Sequence, residues 1–513
     1  MIKVNKILKS VLFIGALFLV SPQSYSQDGT IELLPGSKTM EFDEVTGIHR
    51  LLDNVHFIYE GINMYCDSAH YFQRKKTVRA YGHVHMNKQD TLNLFCDSLL
   101  YNSITKKATL WGNVRVRDRE YKLTTDTLHY DTKKSQAHYR HGGRVESIIN
   151  QEVLTSRVGY FYPNSKNFYF SKNVEYNREK LTIKTDTLQY LYSEKKVFFY
   201  GPTYITSDST KMYCESGWYN TENEIGSLMQ NAWLRKDSDY ISGDTLVYNR
   251  PEQFFIGKGD VFYLDTTAKI ELNAEYLYSS DSLNYSYLTV DAIAAKYLKD
   301  DTLYLHADTL FINQIDSNDV IKAYHDAKMF ATNMQCIADS ITFNTGKEII
   351  TLEVSPIVWS KGAELKGEFI NMHVSDSLIH QINIINDATI LMEVEADLYY
   401  NQIAGRKIVA NFNDNDLTSA NVFGNAITIF FPVEEIKTDS TITKSRKGMR
   451  RLYASDILID IDSNEISGIT YLDQPDGVFY PMDKIKTEEQ FIKNFNWRVA
   501  LRPISRENLI EKE

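Results

Sequence analysis

The sequence predicts an all-β protein, an elongated antiparallel stack of two-strand repeats of about 30 residues each. Three observations lead there. The composition is strand-forming, with 34 Tyr and 25 Phe among 513 residues and only 10 Pro to interrupt pairing. A heptapeptide typified by "CDSLLYN" recurs along most of the chain. A second segment, typified by "ATLWGNVRV", follows it at the same period. A chain this long exceeds the roughly 250–300 residues that one globular core supports, so it must hold several domains or grow along one axis.

Taken in order, Met1–Ser26 reads as an export signal. Lys3, Lys6 and Lys9 precede the apolar run Val11–Val20, and Ser24 and Ser26 are spaced for cleavage. The run is short for a bilayer span, and no cysteine stands at the cleavage point to carry a lipid anchor. Removal of the three lysines takes the net charge from −11 to −14, with 53 basic against 67 acidic residues. So acidic a chain is not expected to bind nucleic acid.

The repeat occupies residues 27–435, as one unit or as two with a break near 205–225 or 300–320. The first heptapeptide position falls at Cys66, Cys96, Thr125, Thr155, Thr185, Cys214, Gly243, Asn273, Ala307, Ala338, Gly367 and Glu395. The centre of the second segment recurs at Val84, Val114, Val145, Val174, Tyr204, Trp233 and Val261. Alternation gives each second segment a face: Val78, Ala80, Gly82, Val84 and Met86 in one copy, Ala108, Leu110, Gly112, Val114 and Val116 in the next. In the heptapeptide strand Leu94 and Cys96 share a face but Leu99 and Tyr101 take the other parity. The phase flip at Asp97–Ser98 predicts a bulge or corner, with Asp bonding the freed backbone. Polar connections such as Ser103–Lys107 and Asp131–Ser135 suit turns. About fourteen such layers at ~4.8 Å would extend on the order of 70 Å.

After the repeat come a polar, basic insertion (436–452), a last β repeat (453–480) and a tail (481–513) expected to be partly helical. Cys66 and Cys96 occupy equivalent repeat positions; the expectation is small buried thiols replacing Thr, with a bridge as the alternative.

The rhythm of "CDSLLYNSITKKATLWGNVRV" and "GDTLVYN" resembles the OstA-like family, periplasmic lipopolysaccharide-transport proteins of the LptA type, in a long Bacteroidetes-type form. The resemblance spans most of residues 40–430. It implies a β-jelly roll or "β-taco": two facing sheets with an apolar slit that receives lipid A acyl chains. It also implies a periplasmic location, other transport components at the inner and outer membranes as partners, and head-to-tail self-association. The chain is longer than a stand-alone bridge subunit and lacks the C-terminal barrel region of LptD-type members.

No GxSxG, HExxH, GxxxxGK[ST] or GxGxxG motif occurs, so neither an enzyme nor a cofactor is expected. His83 and His85 share a strand face without a third ligand and read as solvated surface; "NDNDL" (Asn413–Leu417) reads as an acidic turn. The expected lipid-facing residues are Val78, Ala80, Val84, Met86, Leu110, Val114 and Val116. Arg115, Arg117, Arg119 and Lys122 are candidates for a basic rim. The alternative is a structural or adhesive β-solenoid whose inner face packs as a dry core.

Overall fold

The computed structural model describes residues 32–510, apart from 60–61, 89–91, 118–120, 149–150, 163–164, 166, 208, 221, 281, 300, 316–317, 376–377, 414–415, 439–440 and 463–464. The expected export signal lies outside the described residues. Two compact units divide the chain, 1–255 and 256–513.

Within each unit the strands pair antiparallel with their sequence neighbours, as a period of strand, tight turn and strand demands. The strand Leu92–Asn102 pairs with Thr77–Lys88 on one side and with Lys107–Arg117 on the other. Most of the long strands shift register near their middle, and the halves on either side of that corner form two arms of one folded sheet. The separation is complete where strands break: Tyr121–Asp131 pairs through residues 121–125 with Gly143–Ser147, and through residues 129–131 with Gln136–Tyr139. Unit 2 repeats the device, since Met334–Asn344 pairs with both Ile357–Ser360 and Ile349–Glu353. We call the arm holding Cys96 and Val114 the front sheet and that holding Leu99 and Leu110 the back sheet. The all-β stack expected from the repeat, in the jelly-roll form that the family resemblance implies, is the fold observed.

The corner has a specific chemistry. Register shifts between Tyr81 and Val84, and between Trp111 and Val114, place one extra residue on the second strand of the repeat. Of the bulge or corner expected at Asp97–Ser98, the heptapeptide strand makes the corner, its burial phase flipping between buried Cys96 and buried Leu99, while the extra residue falls on the facing strand. The extra residue is accommodated by two consecutive left-handed residues, Gly82–His83 (φ +69°, +42°) and Gly112–Asn113 (φ +77°, +47°). Asn386–Asp387 and Gly424–Asn425 do the same in unit 2. Asn, Asp and Gly tolerate this region best, which explains their recurrence.

The heptapeptide acid lies against that pair. Asn113 Nδ2 donates to Asp97 Oδ2 (2.8 Å), Asn231 Nδ2 to Glu215 Oε1 (2.9 Å) and Asn386 Nδ2 to Glu368 Oε2 (3.0 Å). At these corners the recurring acid holds the left-handed pair in place.

The basic insertion forms a separate hairpin, Val433–Thr438 with Thr441–Arg446. Beyond Pro481 the helical content of the tail is single 3₁₀ turns, such as Met482–Lys484 and Glu507–Leu509. The tail crosses the outer face of the part of the unit 2 sheet that holds Leu365 and Ile390. There Leu391, Ile429, Phe431 and Met449 form a small core with Ile492 of the tail, flanked by Phe495 and Trp497. Gln402 exchanges bonds with Gln490 O (2.8 Å) and Ile492 N (2.9 Å). Arg498 N donates to Glu364 Oε2 (2.9 Å), and Arg502 Nε to Gln335 Oε1 (2.7 Å). Arg506 Nη2 donates to Glu271 Oε1 (3.0 Å). Buried polar groups on successive rungs are thereby satisfied by one strap.

Candidate functional site: the interior between the sheets

The interior of unit 1 is built from the faces that alternation picks out. Val78, Ala80 and Leu110 line the back sheet, and Val84, Val114 and Val116 the front sheet; each is at most 3% exposed. Met86 is half-buried nearer the rim. The heptapeptide cysteines complete the floor, and Val84 is paired with Cys96. Cys66, Cys96, Cys214 and Cys336 are free and buried, and burial pushes the Cys66, Cys96 and Cys214 thiols up to about 12. They serve as small apolar fillers.

Two centres of the second segment sit differently. Tyr204 (54% exposed) and Trp233 point outward, and the inward residues there are Thr203 and Ala232. Tyr204, Tyr213 and Trp233 instead form a ring ladder on the outer face.

The polar candidates also face outward. His83 Nδ1 contacts Asp67 Oδ2 at 2.8 Å, a contact that raises its pKa, and His85 stacks on Phe95 with centroids 4.4 Å apart. Arg115 lies over the Phe95 ring (5.9 Å), and Lys122 reaches Glu146 at 3.4 Å. Arg119 lies outside the described residues. Among the described residues no cluster of His, Cys, Asp and Glu could hold a metal.

Sequence reasoning missed three interior features. The first is an aromatic wall. Phe161 packs against Tyr139 (6.1 Å), Phe168 (6.0 Å) and Phe170 (5.7 Å), and all four are buried. Tyr139 also donates or accepts a bond with Ser156 Oγ at 2.7 Å. Its repeat copy, "TSRVGYF", is degenerate because the strand breaks at Arg157, between Val153–Ser156 and Val158–Tyr162.

The second feature is Glu152, an inward-facing carboxylate 3% exposed. Arg178 Nη1 approaches its Oε1 at 3.0 Å. Burial pushes Glu152 up to about 7, against the opposing pull of Arg178. Only its position at the end of a degenerate repeat signals it in the sequence.

The third is a cavity of about 60 Å³ between the two sheets, lined by Phe199, Ile205, Met212, Leu234, Leu246 and Tyr248 among others. Ile205, Met212 and Leu234 come from the front sheet, and Phe199, Leu246 and Tyr248 from the back, so the two sheets face each other there.

Residues 37–186 match the family described as OstA-like protein. Among solved structures, the chain is similar to LptH, described as the LptA-homologous periplasmic component of the conserved lipopolysaccharide transport device from Pseudomonas aeruginosa. That likeness has 12% identity and a TM-score of 0.21, and covers 27% of this chain and 96% of that one. No curated protein matches the chain.

Proposed function

We propose, taking the OstA-like family of residues 37–186 as the premise, that the chain carries lipopolysaccharide-type lipid in the periplasm toward the outer membrane. Acyl chains lodge between the two sheets while the sugars stay in water. The observation that carries the reading is the apolar lining of the rungs from Val78 to Val116, within the OstA-like match, in which Val78, Ala80, Val84, Leu110, Val114 and Val116 face inward.

Burial of hydrocarbon is worth roughly 0.8 kcal/mol per methylene, so such a lining holds a chain without polar contacts. Val114 is fully covered, so a chain enters by parting the sheets at the rim and replacing cross-slit contacts. The role is transport, not catalysis. Other transport components at each membrane, and further copies joined head to tail, are the partners this reading implies; exposed apolar residues on the edge strands, Met40 and Phe42 in Thr39–Asp43 and Val478 and Phe479 in Asp476–Pro481, suit strand addition.

The test is site-specific photo-crosslinking in cells, with the probe at Val114 and at exposed Arg115 as the outer control. Lipopolysaccharide adducts at Val114 and not at Arg115 support the conduit. No adduct at Val114 in folded, exported protein supports a dry structural rod.

A further inference from the structure

The interior of unit 1 is not uniform along its rungs. From Tyr139 to Phe170 it is filled by rings that have no room to move. The Tyr139 ring lies on two glycines, one in each sheet: a Cβ on Gly143 would meet it at 2.3 Å and one on Gly159 at 2.5 Å. Its hydroxyl is tied to Ser156, and Phe161 is wedged against Phe168 and Phe170 edge to face. Close packing of this kind forfeits stability when any member shifts.

Beyond this wall the packing loosens. The cavity at Phe199–Tyr248 lies between the sheets toward the hairpin ends, away from the corner. Its floor residues, Met212, Leu234 and Leu246, are buried, while Leu228, Tyr248 and Phe255 at its mouth are half-exposed. Among the described residues no charged side chain lines it. Empty apolar cavities stay dry and take apolar guests; one of about 150 Å³ accepts benzene. At about 60 Å³ this cavity takes the end of one unbranched chain and not a bundle.

We infer that this cavity is a seat for the end of a single unbranched hydrocarbon chain, separated by the Tyr139–Phe161–Phe168–Phe170 wall from the Val114 stretch of the interior. The inference rests on the reading of the interior as a hydrocarbon path and adds where a chain stops. Movement along the unit then proceeds through the mouth of the slit, because the floor is closed at the wall. The seat lies outside the OstA-like match, in rungs that belong to this chain's extra length.

Two experiments test it on the full-length mature protein. In a fluorescence titration with cis-parinaric acid, Leu228→Trp and Met212→Phe, which fill the cavity from mouth and floor, should each weaken binding at least tenfold. Both variants are first shown to melt as cooperatively as wild type. Unchanged binding in both folded variants overturns the seat. In cells, crosslinking probes at Met212 and at Phe168 should give lipid adducts at Met212 alone. Equal adducts at Phe168 overturn the wall. Adducts at Val114 with none at Met212 reject the seat while leaving the transport reading standing; adducts at neither reject both.

Discussion

The residue that decides each corner is the one in the left-handed pair, and Gly112 is the clearest case. Alanine there would adopt φ +77° and place its Cβ 2.4 Å from Asp97 Oδ2. The backbone conformation alone costs an L-residue about 1–2 kcal/mol, and the displaced carboxylate loses its bond from Asn113. Gly112→Ala should therefore destabilise unit 1 by about 2 kcal/mol in urea unfolding. Adding Asp97→Ala should recover part of that loss, since the clash goes with the carboxylate; strict additivity would mean the acid does not act through the corner. Glu152 sets a second residue-scale expectation. Its folded pKa lies above the model-peptide carboxylate value, so the folded state holds the extra proton between about pH 4.5 and 7. Stability should then fall as pH rises through that window, by at most about 3 kcal/mol, and level off above it. Glu152→Gln should remove the slope in melting curves between pH 5 and 8. A slope unchanged in the variant would assign the pH dependence elsewhere.

At the scale of elements, the strands were legible and the strap was not. Alternation within one strand fixes which residues face in, so Val84 and Val114 could be assigned from ten residues of sequence. The assignment slipped by one residue at Tyr204 and Trp233 because the residues that face in there, Thr203 and Ala232, are small or polar, and the large aromatic beside each looks more like core. The tail is legible only in the folded chain. Its anchors, Gln402, Glu364, Gln335 and Glu271, are spread over more than 130 residues and share an outer row only once the rungs stack. Glu152 and the aromatic wall were missed for a related reason, since both sit where the repeat degenerates. The strap carries its own expectation. Ending the chain at Pro481 uncovers Leu391, Ile429, Phe431 and Met449, and burial of such side chains is worth about 1.5–3 kcal/mol each. Amide exchange should accelerate in Tyr399–Asn413 and Asp416–Phe430 of the truncated protein, while Lys107–Arg117 in unit 1 keeps its protection. Acceleration in both units would mean that the tail supports more than the face it covers.

At the scale of the whole molecule, sequential pairing makes each rung answerable chiefly to its neighbours, as in other repeat proteins. The period is two strands, because an antiparallel stack returns to the same direction only after a pair. Removal of residues 77–106 takes out the strands Thr77–Lys88 and Leu92–Asn102 with the two connections 89–91 and 103–106. It leaves Ile62–Phe72 to meet Lys107–Arg117 through the existing Gln73–Lys76 connection. Asp67 then faces Gly112–Asn113 as it now faces Gly82–His83, so the corner bond is regenerated by the acid of the preceding rung. The inner face also stays continuous, with Cys66 opposite Val114. This deletion should fold, with a β-sheet circular dichroism spectrum and a single cooperative transition. Removing only residues 77–91 joins two strands that run the same way and should abolish that transition. If the two deletions behaved alike, the unit of this architecture would not be the strand pair, and the periodic reading of the interior would lose its basis.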